Sequence, residues 1–281
     1  MTNTVSLSRQ RRARSDPESS GPEASALEPR PCARATAGRA PDPSALGPRP
    51  SNLDAEGIAV GGLTALTTID YPGELAAVVF CQGCPWRCRY CHNAHLVPRE
   101  PPIASGWFGV LDLLRRRRGL LDAVVFSGGE PTLQRDLPGA IDAVHRLGFK
   151  VGLHTAGCYP QRLAEVLPRI DWVGLDIKAL PDDYAALTGV PGSGPRAYAS
   201  LENVVASGVD HEVRVTVHDD LLPPARLARL VALLRTRGAA RIVLQRCRTE
   251  STLDPALGAG GPDWPLGARR PARLGFERRP P

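Results

Sequence analysis

Between residues 75 and 245 the chain alternates two hydrophobic rhythms. Short, nearly unbroken apolar runs rich in β-branched residues recur as LAAVVF (75–80), DAVVFS (122–127), KVGLHT (150–155), WVGLDI (172–177), EVRVTV (212–217) and RIVLQ (241–245). Each reads as a strand buried on both faces. Longer stretches with apolar residues at helical spacing separate them. The clearest is PPARLARLVALLRTRG (223–238), opened by proline and closed by glycine. Arg115 to Arg118 fit the solvent end of another such helix. Strands alternating with helices predict an α/β domain with a parallel sheet covered by helices. Six β/α units can form an open doubly wound sheet or a curved partial barrel, and both place ligands at the C-terminal ends of the strands.

Outside this region the rhythm is lost. Residues 1–52 are rich in Pro, Arg, Ser and Ala with almost no large apolar side chains, and the segment from about Thr249 to Pro281 has the same character. Such composition cannot bury enough surface to offset the entropy of ordering, so both are expected to be disordered, local docking of Trp264 and Phe276 being the alternative for the tail. The folded domain is expected at 53–248.

The polar punctuation is not random. The first strand runs into CQGCPWRCRYCHN (81–93), the second into SGGEP, the third into HTAG, the fourth into DIK and the fifth into HDD. In a parallel sheet these segments share one edge, so they predict one site built by the whole sheet.

Composition narrows the chemistry. The formal charge is +6, but 33 of the 35 basic residues are Arg and only Lys150 and Lys178 are Lys. That ratio points to coding bias rather than to a nucleic-acid surface. Four of the seven cysteines crowd into thirteen positions, which argues for metal in a reducing compartment rather than a disulfide scaffold. No apolar run is long enough to span a membrane, and the N-terminus lacks the apolar core of a secretory signal, so a cytoplasmic protein is expected.

The spacing within the cluster then matters. Structural zinc sites place about a dozen or more residues between their Cys-x2-Cys pairs, whereas three residues separate Cys84 from Cys88. An electron-transfer iron–sulfur centre takes four thiolates. The spacing Cys84-x3-Cys88-x2-Cys91 suggests instead three thiolates on three irons of a [4Fe–4S] cube, with the fourth iron open, as in a catalytic site.

These residues resemble the radical S-adenosylmethionine (radical SAM) enzymes, whose signature is Cys-x3-Cys-x2-Cys with an aromatic residue before the last cysteine, here CPWRCRYC with Tyr90. The family's glycine motif is matched by GGEP (128–131) after the second strand. The resemblance implies the partial (β/α)6 barrel, a [4Fe–4S] cluster and S-adenosyl-L-methionine. It also implies reductive cleavage of the sulfonium to methionine and a 5′-deoxyadenosyl radical. More narrowly, GGLTALTTIDYPGELAAVVFCQGCPWRCRYCHN resembles activating enzymes of glycyl-radical proteins, in the branch serving the anaerobic ribonucleoside-triphosphate reductase. That implies a large glycyl-radical subunit as partner and an electron donor such as flavodoxin or ferredoxin. Alternatives are another glycyl-radical target such as pyruvate formate-lyase, a small-molecule substrate, or a non-catalytic metal module.

Carried over residue by residue, the resemblance implies Cys84, Cys88 and Cys91 as cluster ligands, with Tyr90 and His92 on the adenine side. Gly128 and Gly129 would admit the methionine amino group by close backbone approach. Glu130 would either accept from that ammonium or cap the next helix. Asp176 and Lys178 match a motif for the methionine zwitterion, the alternative being a salt bridge between them. His218 and Arg214 would reach the cofactor from the fifth strand, and His154 stands where some relatives have an Asp at a cation site. His95 and His145 are expected on solvated surfaces, and Cys81, Cys158 and Cys247 as small apolar side chains.

Overall fold

The computed structural model describes residues 57–99, 104–249, 251–258 and 277–278. The arm expected at 1–52, with Cys32, and the later tail with Trp264 and Phe276 lie outside the described residues. One eight-stranded sheet runs in chain order: β1 (Val60–Thr67), β2 (Ala76–Cys81), β3 (Ala123–Gly128), β4 (Lys150–Thr155), β5 (Trp172–Asp176), β6 (Asp210–Val217), β7 (Ile242–Arg246) and the two-residue β8 (Glu277–Arg278). Strand β1 is antiparallel to β2, every later pairing is parallel, and the sheet does not close.

The six predicted strands are β2 to β7. Helices α1 (Ala104–Arg116), α2 (Leu137–Arg146), α3 (Pro160–Val166), α4 (Tyr184–Thr188), α5 (Ser193–Ser207) and α6 (Pro224–Thr236) connect them. Helix α1 buries Trp107, Val110, Leu111 and Leu114, an i, i+3, i+4, i+7 stripe, while Arg115 and Arg116 stay in water. Helix α6 starts at Pro224, as the sequence predicts, and Gly238 ends the turn after it at φ +87°. No helix among the described residues is long and apolar enough to cross a membrane.

The two faces of the sheet differ. Ala77, Val79, Val124, Phe126, Leu153, Val173, Leu175, Val213 and Val215 form the large core under the helices. The opposite face holds a small cluster of Ala76, Val78, Ala123, Val125 and Trp172, plugged by Tyr71 from the β1–β2 turn. Tyr71 stacks on Trp172 at 5.3 Å between centroids, and a Cβ on Gly152 would stand 3.0 Å from its ring. The DYPG turn is therefore the floor of the sheet's inner face, below a wall that becomes polar toward the strand ends.

Strand β1 and residues 251–258 depart from the sequence reading. Its Gly61–Gly62 pair and threonines disguise β1 as a loop. The segment expected to begin a loose tail folds back, with Leu257 4% exposed in the main core. Its polar composition hides this because it docks mostly through backbone bonds.

Candidate active site

The cysteine loop leaves β2 and is fixed from four directions. Gly83 N–H and Cys84 N–H donate to Leu96 O (2.8 Å) and Val97 O (3.1 Å). Arg87 N–H and Arg89 N–H donate to Thr188 O and Leu187 O of α4, at 2.9 and 3.0 Å. Cys91 O and Arg89 O accept from Leu253 N–H (3.1 Å) and Asp254 N–H (2.9 Å), and an Arg89–Asp254 ion pair at 2.7 Å closes that contact. From the fourth side Gly129 N–H and Glu130 N–H donate to Cys81 O and Gly83 O, both at 2.9 Å. A partly buried amide relay adds to this: Gln134 Nε2 donates to Gln82 O (2.6 Å), and Gln82 Nε2 donates to His95 O and Pro98 O. Gln82 and Gln134 went unnoticed in the sequence because glutamines carry no motif.

All four thiols of the cluster are free, but their surroundings differ. Cys81 is fully buried in the core at the end of β2, and burial, aided by the Glu130 carboxylate, pushes its thiol up. Cys84 and Cys91 are partly exposed, and Cys88 lies just beneath them. Burial pushes Cys88 up to about 12 against the pull of the Lys178 ammonium, and burial also raises Cys91. Cys84 moves the other way: a hydrogen bond with Cys158 holds it below the usual thiol range despite burial.

The glycine motif acts here through packing. Gly128 has φ +109°, and a Cβ on it would lie 2.4 Å from Cys81 N; one on Gly129 would lie 2.3 Å from Gly83 O. The glycines let the turn after β3 lie directly on the cysteine loop. Glu130 is fully buried and caps the short turn Pro131–Leu133. Its Oε1 accepts from Thr132 N–H (3.1 Å), Thr132 Oγ1 (2.6 Å) and Thr155 Oγ1 (2.7 Å), and its Oε2 accepts from Ala156 N–H (3.0 Å). Of the two roles expected for Glu130, the geometry matches the cap.

Asp176 and Lys178 lie beside the cysteine loop, as the motif requires. Lys178 Nζ is 3.0 Å from Asp176 Oδ2 and 5.5 Å from the Tyr90 ring centroid. Burial opposes the ammonium, yet the Asp176 carboxylate outweighs it and keeps its pKa well above the usual value. Tyr184, another residue without a sequence signal, fixes this strand end by accepting from Lys178 N–H at 2.8 Å. The structure thus brings Cys88, Tyr90, Asp176 and Lys178 together around a buried cation and a partly exposed carboxylate. His92 is half-buried at the loop's end.

Arg214 and His218 do not point where the sequence reading puts them. Arg214 lies across from Asp176 in register, but its guanidinium turns toward the floor. There it pairs with the buried Glu212 at 2.8 Å and lies 5.2 Å over Trp172. His218 is fully buried: its Nδ1 accepts from Asp220 N–H (3.2 Å), and its Nε2 faces Gly258 O (3.3 Å). Its ring holds the 251–258 segment. His154 Nε2 is 2.7 Å from Asp70 O, on the floor turn. His95 is exposed, and His145 is a surface residue beside Arg169 O. Cys158 and Cys247 are buried.

The donor set fits a cluster that takes one thiolate per iron. Three free thiols stand on one backbone-locked loop, beside a buried cation that offsets negative charge. Among the described residues no three His, Cys, Asp or Glu side chains converge on a single ion, a convergence that a multi-iron cluster does not need.

Comparison with known proteins agrees with this arrangement. The family model described as the Radical SAM superfamily matches residues 78–235, more than half of the chain. The chain belongs to the radical SAM superfamily, whose enzymes use a [4Fe–4S] cluster and S-adenosylmethionine. Within it, a Methanocaldococcus jannaschii protein provisionally named a glycyl-radical enzyme activating enzyme is 38% identical over 133 residues, 44% of this chain and 52% of that protein. The match thus spans about half of that relative's length. The pyruvate formate-lyase-activating enzyme of Clostridium pasteurianum is 31% identical over 191 residues, covering 63% of this chain and 77% of that one. In fold, Streptococcus suis SuiB in its crystal structure with the precursor peptide SuiA aligns with a TM-score of 0.51 at 17% identity, over 62% of this chain and 40% of SuiB.

Proposed function

We propose that the chain is an S-adenosylmethionine-dependent activase that installs a glycyl radical on an anaerobic ribonucleoside-triphosphate reductase. The observation that carries the reading is the backbone-locked loop with Cys84, Cys88 and Cys91 at the strand ends, facing Asp176 and Lys178. Cys84, Cys88 and Cys91 would hold the cluster. Lys178 would meet the carboxylate of the methionine end and Asp176 its ammonium, exchanging their mutual salt bridge for the zwitterion. Gly128 and Gly129 would offer backbone groups to the same end, and Tyr90 and His92 would flank the adenine. When bound, the cluster supplies the electron that splits the sulfonium of S-adenosylmethionine into methionine and a 5′-deoxyadenosyl radical. A flavodoxin- or ferredoxin-type protein would deliver that electron.

The TTIDYPG lead-in, which ends β1 and forms the floor turn, supports the reductase as target. The relationship to the C. pasteurianum enzyme supports a second reading, activation of a pyruvate formate-lyase. One experiment decides. Anaerobically reconstituted protein, dithionite and S-adenosylmethionine are mixed with each candidate partner, and the glycyl radical is sought by EPR. A radical on the reductase alone is expected; one on the lyase alone would replace the partner. Protein that binds no iron and releases no 5′-deoxyadenosine would overturn the reading.

A further inference from the structure

Edge strands usually carry charges, proline or bulges that stop a further strand from pairing with them. Strand β1 and its flanks, Ile58 to Ile69, read IAVGGLTALTTI and hold no charged residue and no proline. Among the described residues β1 pairs only with β2, so its other edge has no strand partner. The side chains beside that edge are apolar. In register, Leu63 lies across from Val79 of the core under the helices, and Thr67 across from Ala76 of the opposite face. Alternation, with a register shift between Thr64 and Thr67, therefore puts both Leu63 and Leu66 on the helix-bearing side. No helix covers them: Leu63 is 38% and Leu66 53% exposed. Two exposed leucines on one side of an open, uncharged edge form a patch rather than scattered exposure.

We propose that this edge is the contact of a homodimer, β1 of one copy lying antiparallel against β1 of the other. A two-fold contact presents the same patch from both sides, so the patch must complement itself. An uncharged stretch does so without like-charge repulsion, and a charged partner finds nothing on this edge to complement. The basic run Arg115 to Arg118 does not interfere. It ends α1 and leads to the start of β3, so it lies at one end of the sheet. An antiparallel pairing carries the two runs to opposite ends of the dimer. The chain's own segment before β1 is a poorer occupant, because it is rich in proline, which cannot donate to a ladder. The register shifts at Val60/Gly62 and Thr64/Thr67 confine regular pairing to residues 62–64. Leu63 and Leu66 of each copy supply the rest of the contact by covering one another.

The test is sedimentation velocity of the full chain under reducing conditions over a concentration series, with hydrogen exchange read at β1. Wild type should approach a mass twice the chain's 30.1 kDa, with amide protection in β1 that falls on dilution. Leu63→Lys and Leu66→Lys should each weaken association roughly tenfold or more, because the contact would bury an unpaired charge. Leu120→Lys, at a leucine 63% exposed but off the edge, is the control and should dimerise as wild type does. Wild type that stays monomeric throughout would overturn the inference, as would a dimer indifferent to both lysines on β1. A monomer with protected β1 amides would give the edge to the chain's own segment before β1. A monomer whose β1 amides gain protection only with the reductase large subunit would give it to that partner, and either result overturns the homodimer. If the lysine variants failed to fold, wild-type exchange decides alone: protection independent of concentration overturns the second copy. The measurement needs neither cluster nor S-adenosylmethionine, so its failure leaves the proposed function standing, and the reverse holds equally.

Discussion

At the level of single residues, Cys81 and Cys88 are alike in chemistry and opposite in circumstance. Cys81 ends a core strand, whereas Cys88 lies under the loop beside Lys178. Cys88→Ala is therefore expected to abolish iron binding. Cys81→Ala should keep the cluster's visible absorption at a cost of about 1 kcal/mol in stability, read by chemical denaturation. Equal loss from both would contradict the ligand assignment. The spacing and the aromatic Tyr90 made this distinction legible, because both are local in sequence. Glu130 was not legible to the same degree. Whether it binds a ligand or caps a turn depends on Thr155 and Ala156, 25 and 26 residues away, whose approach no local pattern encodes. Its geometry makes a separate prediction. All four groups it meets are donors, so Glu130→Gln would set an NH2 group against one of them and cost about 1–3 kcal/mol. Iron content per folded molecule should change little. A selective loss of S-adenosylmethionine binding with unchanged stability would return Glu130 to the ligand role.

At the level of elements, the six parallel strands were readable because burial on both faces leaves unbroken apolar runs. Strand β1 was not. It is an edge strand with alternating exposure, and its Gly61 is needed because a Cβ there would meet Leu96 at 2.3 Å and Gln82 Oε1 at 2.5 Å. The glycine that hides the strand in the sequence is the one that lets the cysteine loop lie against it. The turn after β3 follows the same logic with higher stakes. A Cβ on Gly129 meets backbone, Gly83 O at 2.3 Å and Leu96 O at 2.9 Å, and backbone cannot swing aside as a side chain can. Gly129→Ala should thus push the turn off the cysteine loop and break the Glu130 N–H to Gly83 O bond. The expected outcome is a destabilisation of about 1–3 kcal/mol or more together with reduced iron retention. Gly139→Ala, on open helix surface with nothing within 4 Å, is the control and should be neutral or slightly stabilising. Equal behaviour of the two variants would show that the close approach does not matter.

At the level of the whole molecule, the sheet's strand ends collect the site while a segment beyond its last long strand holds it down. Residues 251–258 cross back from β7 to the cysteine loop, bonding Cys91 O and Arg89 O, burying Leu257 and meeting the His218 ring. Arg89 and the Ala256 N–H hold the Asp254 carboxyl below its ordinary value. The sign follows: a depressed folded-state pKa gives a contribution fully present above the ordinary carboxylate value and lost as pH falls through the lower one. Protection of the Leu253 and Asp254 amides, corrected for intrinsic exchange, should therefore stay level from pH 8 down to about 5 and fall only in acid. Asp254→Asn removes the charge that Arg89 pairs with and leaves a weaker acceptor for Ala256 N–H. It should raise exchange at these two amides severalfold at pH 7 while leaving β2 and β3 unchanged. Because Leu253 bonds the carbonyl of Cys91 directly, the same variant should also lose iron to a chelator faster than wild type. Protection that instead declined between pH 8 and 6 would contradict assigning the hold to the Arg89–Asp254 pair. Unchanged exchange in Asp254→Asn would show that the backbone bonds and Leu257 suffice, leaving the ion pair without a structural role at this contact.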